Sequence, residues 1–159
     1  MTTFMMTWTH VKTHAIFRGG STITTSKLKD SRNRYYIKMF SEGFEVAYAE
    51  ARKSVEVFRL GAAFVHRARV VSRGRNKTWN SCGLPSVHAE MDAAWKLPPS
   101  SSARDAHLVV VRLMRNSDTM GLSKPCAACM RSLVRLGVGK ITYTTGDPTT
   151  PFETIRLNR

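Results

Sequence analysis

His88-Ala89-Glu90 and, well downstream, Pro125-Cys126-Ala127-Ala128-Cys129 constrain this chain more than any other feature. A fold that uses them must bring one imidazole and two thiols, from segments far apart in sequence, to a single point. Zinc accepts imidazole nitrogen and thiolate sulfur, and a catalytic zinc site keeps three protein ligands with one position open. His88, Cys126 and Cys129 form such a set, so Zn2+ is the expected metal. Glu90 stays outside the set and is the expected proton carrier and catalytic residue. The competing reading is a structural site with Cys82 as a fourth ligand, which would leave Glu90 without a purpose.

Local geometry adds conditions. Cys126 and Cys129 are three apart, so on a helix they share a face. Pro125 suits a first helical turn, and the positive end of that helix favours thiolates. His88 and Glu90 are two apart and would point about 200° from one another on a regular helix. They meet only if the site sits at a helix tip, and the loop ending Pro85-Ser86 places both in the first turn.

The chain has 159 residues, room for one domain with a core. Hydrophobic residues make up 42% of it, and no apolar run reaches the length that spans a bilayer, so a soluble protein with no membrane segment is expected. Three cysteines, two at metal spacing, argue against a disulfide framework and fit an intracellular, reducing compartment. The formal net charge of +14 favours polyanionic partners such as RNA or DNA, a basic surface kept for solubility being the alternative.

Residues 1–40 read as a basic, acid-poor extension, with Lys12, Arg18, Lys27 and Lys29 among many hydroxyls and no acid before Asp30. An organelle-targeting segment, a flexible nucleic-acid arm and an ordered extension all fit it. Residues 41–159 read as the catalytic domain. From Ser41, Phe44, Ala47, Tyr48, Ala51, Val55 and Phe58 repeat at helical steps. Strands are expected at Ala62–Val65, Arg69–Ser72, Leu108–Val111, Ile141–Thr145 and Glu153–Leu157, with Arg67-Ala68 poor turn chemistry for a hairpin. A helix is expected at Val87–Lys96, stopped by Pro98-Pro99. Another follows Pro125, burying Met130, Leu133 and Val134 and ending at Gly137. The short link between Thr145 and Glu153 cannot carry a crossover, so the last strand should run antiparallel to its predecessor. The sum is an α/β, three-layer α/β/α domain with about five strands in a mixed sheet.

Gly61-Ala-Ala-Phe-Val, Gly74-Arg-Asn76, His88-Ala-Glu90 and Pro125-Cys-Ala-Ala-Cys129 together resemble the cytidine deaminase-like superfamily of zinc-dependent nucleotide and nucleic-acid deaminases. The resemblance implies a five-stranded sheet flanked by helices and hydrolytic loss of ammonia from a base. It also implies that Asn76 contacts the substrate and that the Ala89 N–H and Lys124 carbonyl hold the base edge. Members are often homo-oligomers, dimers or tetramers. The His-Ala-Glu form is closer to the nucleotide and nucleic-acid branches than to free-cytidine deaminases. The short tail departs from many nucleic-acid branches, which carry a helix before a parallel fifth strand.

The expected reaction is conversion of cytosine to uracil in a nucleotide or single-stranded polynucleotide. Adenosine deamination in RNA and a non-catalytic, zinc-stabilised nucleic-acid module are the alternatives. His66, Arg67, Arg69, Arg73, Arg75 and Lys77 crowd the segment upstream of the site. Arg73, Arg75 and Lys77 share strand parity and are candidates for phosphate contact, and Trp79 for stacking on a base. A solvated strand edge with a packing tryptophan is the plain alternative.

Overall fold

The structure, a computed structural model, describes residues 31–78, 86–98, 103 and 106–157, with side chains from Phe40 onward. Residues 1–30, Pro99 and the loop with Trp79, Asn80, Cys82, Gly83 and Pro85 lie outside the described residues. By its contacts the chain divides into Met1–Arg34 and Tyr35–Arg159, and the second unit carries the site.

The elements follow in the order α1 (Ser31–Lys53), β1 (Arg59–His66), β2 (Arg69–Arg75), α2 (Ala89–Trp95), β3 (His107–Leu113), β4 (Met120–Gly121), α3 (Ala127–Arg135), β5 (Lys140–Thr144) and β6 (Phe152–Arg156). The sheet is six-stranded, ordered β2-β1-β3-β5-β6, with the two-residue β4 paired to the end of β3. Among the described strands only β3 and β5 run parallel, and α3 lies in the connection between them. Strand β6 returns antiparallel to β5, as the short link requires.

Strand alternation sorts the core into two layers. Ala63, Val109, Val111 and Leu113 face Ala47 and Ala51 of α1. Ala62, Phe64, Leu108, Val110, Ile141 and Tyr143 share the other layer with Ala89 and Ala93 of α2 and Leu133 of α3. β3 therefore reads as an uninterrupted apolar run because it is covered on both sides. At Gly61 the α1 backbone comes so close that a Cβ would stand 2.0 Å from the Ala47 carbonyl oxygen. Phe40 and Phe44 of α1 meet the Phe152 ring of β6 edge-on at 5.0 and 5.3 Å, extending this layer to the far edge.

Some expectations need correction. Helix α1 begins before the Ser41 stripe and ends at Lys53. Val55, in the segment after it, is 96% exposed, and Phe58, 55% exposed, lies under the Arg112 guanidinium at 4.2 Å. Val134 is not on the buried side of α3 but half exposed. The β1–β2 hairpin forms despite its turn residues, with Arg67 (φ 48°) and Ala68 (φ 61°) both left-handed. That geometry matches the strand twist, and the ladder carries the cost of the wrong residues.

Candidate active site

Helix α2 is held on strand β2 by a close approach and two hydrogen bonds. Gly74 leaves room for the helix backbone to lie against the strand. Ser72 Oγ donates to the Ala93 carbonyl at 2.7 Å, and the Arg75 N–H donates to Asp92 Oδ2 at 3.1 Å. Just before the helix, Lys77 and Val87 exchange two backbone hydrogen bonds of 3.1 and 2.8 Å. His88 is the N-cap residue with extended backbone (φ −75°, ψ 150°), and its side chain makes no capping bond. The imidazole is thus free to point away from the helix. This resolves the two-residue spacing: His88 lies just outside the helix and Glu90 in its first turn.

Helix α3 starts two residues later than a proline in the first helical position implies. Pro125 is buried ahead of it, and Cys126 is the N-cap. The two cysteines therefore converge by capping rather than by sharing a helical face: Cys126 Sγ accepts from the Cys129 N–H at 3.5 Å. At the other end Gly137 (φ 77°) allows two closing bonds, Gly137 N–H to Val134 and Val138 N–H to Leu133, of 2.9 and 3.1 Å. Buried Leu133 then anchors the cysteine helix in the core.

These two helix starts bring the three ligand groups together. His88 Nδ1 lies 3.3 Å from Cys129 Sγ and 3.6 Å from Cys126 Sγ, and all three atoms fall within 4.8 Å of one another. Tetrahedral zinc, with Zn–S near 2.3 Å and Zn–N near 2.0–2.1 Å, puts ligand S···N pairs about 3.6 Å apart. The trio fits that ion, and softness agrees with spacing, since thiolates select zinc over magnesium or calcium.

Glu90 lies outside the trio. It is 2% exposed, and its Oε2 is buried with no hydrogen-bond partner among the described residues. Burial pushes its carboxyl above the ordinary range, opposed by its own backbone N–H and by His88. Cys129 departs from expectation. Burial, with the charges of Glu90 and Cys126, drives its thiol well up and outweighs the helix terminus. A bound dication reverses that preference and takes the sulfur as thiolate.

The other expected site residues fall in different places. Asn76 is buried: its Oδ1 accepts from Ser54 Oγ and the Leu60 N–H, both at 2.8 Å, and its Nδ2 donates to the Phe58 carbonyl at 2.5 Å. Its second amide N–H has no bond among the described residues. Arg73 and Arg75 turn to Glu50 of α1, at 3.6 and 3.3 Å, on the sheet face opposite α2. Lys77 instead meets Asp92 of α2 at 2.8 Å, so the three cations do not share a face. Ala89 is the first residue of α2, where an N–H has no acceptor within the helix, and Lys124 is exposed just before Pro125. Trp79 is outside the described residues. Sequence reasoning missed Asp92, which binds Lys77 and Lys96 and is pushed down by them against its burial. The Asp92–Lys96 spacing of one helical turn was its visible signal.

Comparisons with known proteins agree with this geometry. The dCMP deaminase of cyanophage S-TIM5 in apo form is similar in fold, at 21% identity over 76% of this chain and 92% of its own, with a TM-score of 0.53. The same phage enzyme in complex with dCMP and dUMP gives 20% identity, coverage of 73% and 83%, and a TM-score of 0.51. The cytidine deaminase of Burkholderia pseudomallei gives 23%, coverage of 72% and 90%, and 0.55. No curated protein matches the chain. The family model for the cytidine and deoxycytidylate deaminase zinc-binding region matches residues 38–145, a span that contains His88, Glu90, Cys126 and Cys129, and the chain belongs to that family of zinc-dependent hydrolytic deaminases.

Proposed function

We propose that this enzyme converts cytosine to uracil, with release of ammonia, in a nucleotide or polynucleotide. The observation that carries the reading is Glu90: a buried carboxyl, unpartnered at Oε2 among the described residues, in the helix turn that follows His88.

His88, Cys126 and Cys129 would hold the zinc, which when bound supplies a water acidified to a pKa of about 7. Glu90 takes a proton from water and passes it to the ring nitrogen of the base, as oxygen adds to the carbon bearing the amine. It then returns a proton to the departing nitrogen, so that one water is consumed and one ammonia leaves. The raised affinity of Glu90 for protons serves both transfers. The Ala89 N–H and the Lys124 carbonyl fit the role of base-edge contacts, and Asn76 that of a donor to sugar or base through its remaining N–H.

The test is to incubate the zinc-loaded protein with dCMP, cytidine, single-stranded DNA and tRNA, following ammonia and the identity of the product base. dCMP heads the panel because the phage neighbour was crystallised with it. Uracil formed in stoichiometry with ammonia is the expected result. Inosine formed instead of uracil, or no ammonia from zinc-replete protein, would overturn it.

A further inference from the structure

We infer that the outer face of helix α3 is a track for single-stranded nucleic acid leading to the active site. Ala127, Met130, Arg131, Val134 and Arg135 line a shallow, open depression along this face. It begins one residue after Cys126 and runs the length of the helix, about 13 Å at 1.5 Å per residue. That is the length of about four nucleotides stacked 3.4 Å apart.

The charge of this face selects the occupant. Four other cations near the site are already paired, Arg73 and Arg75 with Glu50, Lys77 and Lys96 with Asp92, while exposed Lys124 lies just ahead of the helix and adds to its charge. Arg131 and Arg135 are exposed, one helical turn apart, and neither forms an ion pair with an acid among the described residues. No acid occurs anywhere in residues 119–146. Two guanidinium groups in a row, with no counter-charge, match successive phosphates. The same face of a second copy offers no acid among its lining residues to meet these arginines. The floor between the arginines is apolar, with Val134 50% exposed and Met130 half-buried. Bases splayed from a single strand can lie on such a floor, whereas a duplex presents mainly its phosphates.

The inference deepens the proposed function by naming a polynucleotide as the substrate class, and rests on that reading only in calling the bound strand a substrate. Binding is therefore tested apart from chemistry. The zinc-loaded full chain is titrated into a fluorescein-labelled, cytosine-free single-stranded oligonucleotide, by anisotropy over a salt series. R131Q/R135Q keeps two good helix formers and removes both charges. R67Q/R69Q removes the same charge at the β1–β2 turn. For R131Q/R135Q the slope of log affinity against log salt should flatten by about 1.4, or 0.7 per lost phosphate contact. R67Q/R69Q should leave the slope near wild type, and a duplex should bind more weakly than the single strand. No oligonucleotide binding, or equal flattening by both pairs, would overturn the track. Self-association that R131Q/R135Q alters while oligonucleotide binding stays the same would assign the face to a second copy and also overturn it. Expected binding without ammonia release from any base would leave the track standing and remove the deaminase reading. Deamination of dCMP, with oligonucleotide binding indifferent to Arg131 and Arg135, would do the reverse.

Discussion

Gly74 lies so close under helix α2 that a Cβ placed on it would stand 2.3 Å from the backbone nitrogen of Ala93. The neighbouring obstacle, the Ala89 carbonyl oxygen, would be 2.6 Å away, so backbone rather than a movable side chain fills the space. The strand therefore sets the height of the helix that carries Glu90, and whose N-cap is His88.

Gly74→Ala should push α2 off the strand. The expected cost is about 1–3 kcal/mol of stability from overpacking. A larger fractional loss should appear in deamination, because a small displacement of a catalytic carboxyl is expensive. Denaturant unfolding and turnover measured together check it. A variant with wild-type kinetics would show that the close approach does not position the site.

The β1–β2 turn makes the opposite prediction. Arg67 and Ala68 hold left-handed angles that Asn and Gly adopt at little cost. Arg67→Asn with Ala68→Gly should stabilise the chain by about 1 kcal/mol. In a domain of this size that raises Tm by about 2–4 °C in a thermal melt. An unchanged or lower Tm would mean that the native turn residues are stabilised by something else.

Acid should weaken the fold through His107. This residue is 3% exposed, bonded through Nε2 to Thr142 Oγ1 at 2.7 Å, and pushed down to about 3 by burial and by Lys140. Its folded pKa is below the unfolded value of about 6.5, so between these values the unfolded chain binds the extra proton. Stability from this group is fully present above pH 6.5 and falls as pH drops toward 3, by up to about 1.4 kcal/mol per pH unit. His107→Leu leaves the Thr142 hydroxyl its partner Thr154 at 2.8 Å and should flatten that slope. Chemical denaturation across pH 4–7 compares the two proteins, and parallel slopes would exclude His107 as the source.

Removing the metal should cost both activity and stability, because three buried or clustered ligands lose their common partner. A chelator should abolish ammonia release, and added zinc should restore it. Cys126→Ser should purify with less than one zinc per chain and melt at a lower temperature. Full zinc occupancy in that variant would remove Cys126 from the ligand set.

The His88, Cys126 and Cys129 cluster was legible in the sequence because only a few residue types can bind zinc, and their spacing marks them out before any fold is known. The antiparallel return of β6 was legible for a similar reason, since chain length between Thr144 and Phe152 forbids the alternative. What could not be read depended on partners distant in sequence. Asn76 is turned inward by Ser54, Leu60 and Phe58, all in neighbouring segments that its own motif does not mention. Arg73 and Arg75 alternate as a phosphate-facing strand would, yet Glu50 of α1 takes both. The hairpin turn was obscured because the paired strands outweigh the preferences of Arg67 and Ala68.

The most direct measurement pairs zinc content with ammonia release in Glu90→Gln. The account predicts one zinc per chain, a wild-type melting profile and a loss of turnover of about 10²–10⁴-fold or more, the share that positioned proton transfer contributes. Near-wild-type turnover, or a variant that cannot retain zinc, would contradict the assignment of Glu90 as the uncoordinated proton carrier beside His88, Cys126 and Cys129.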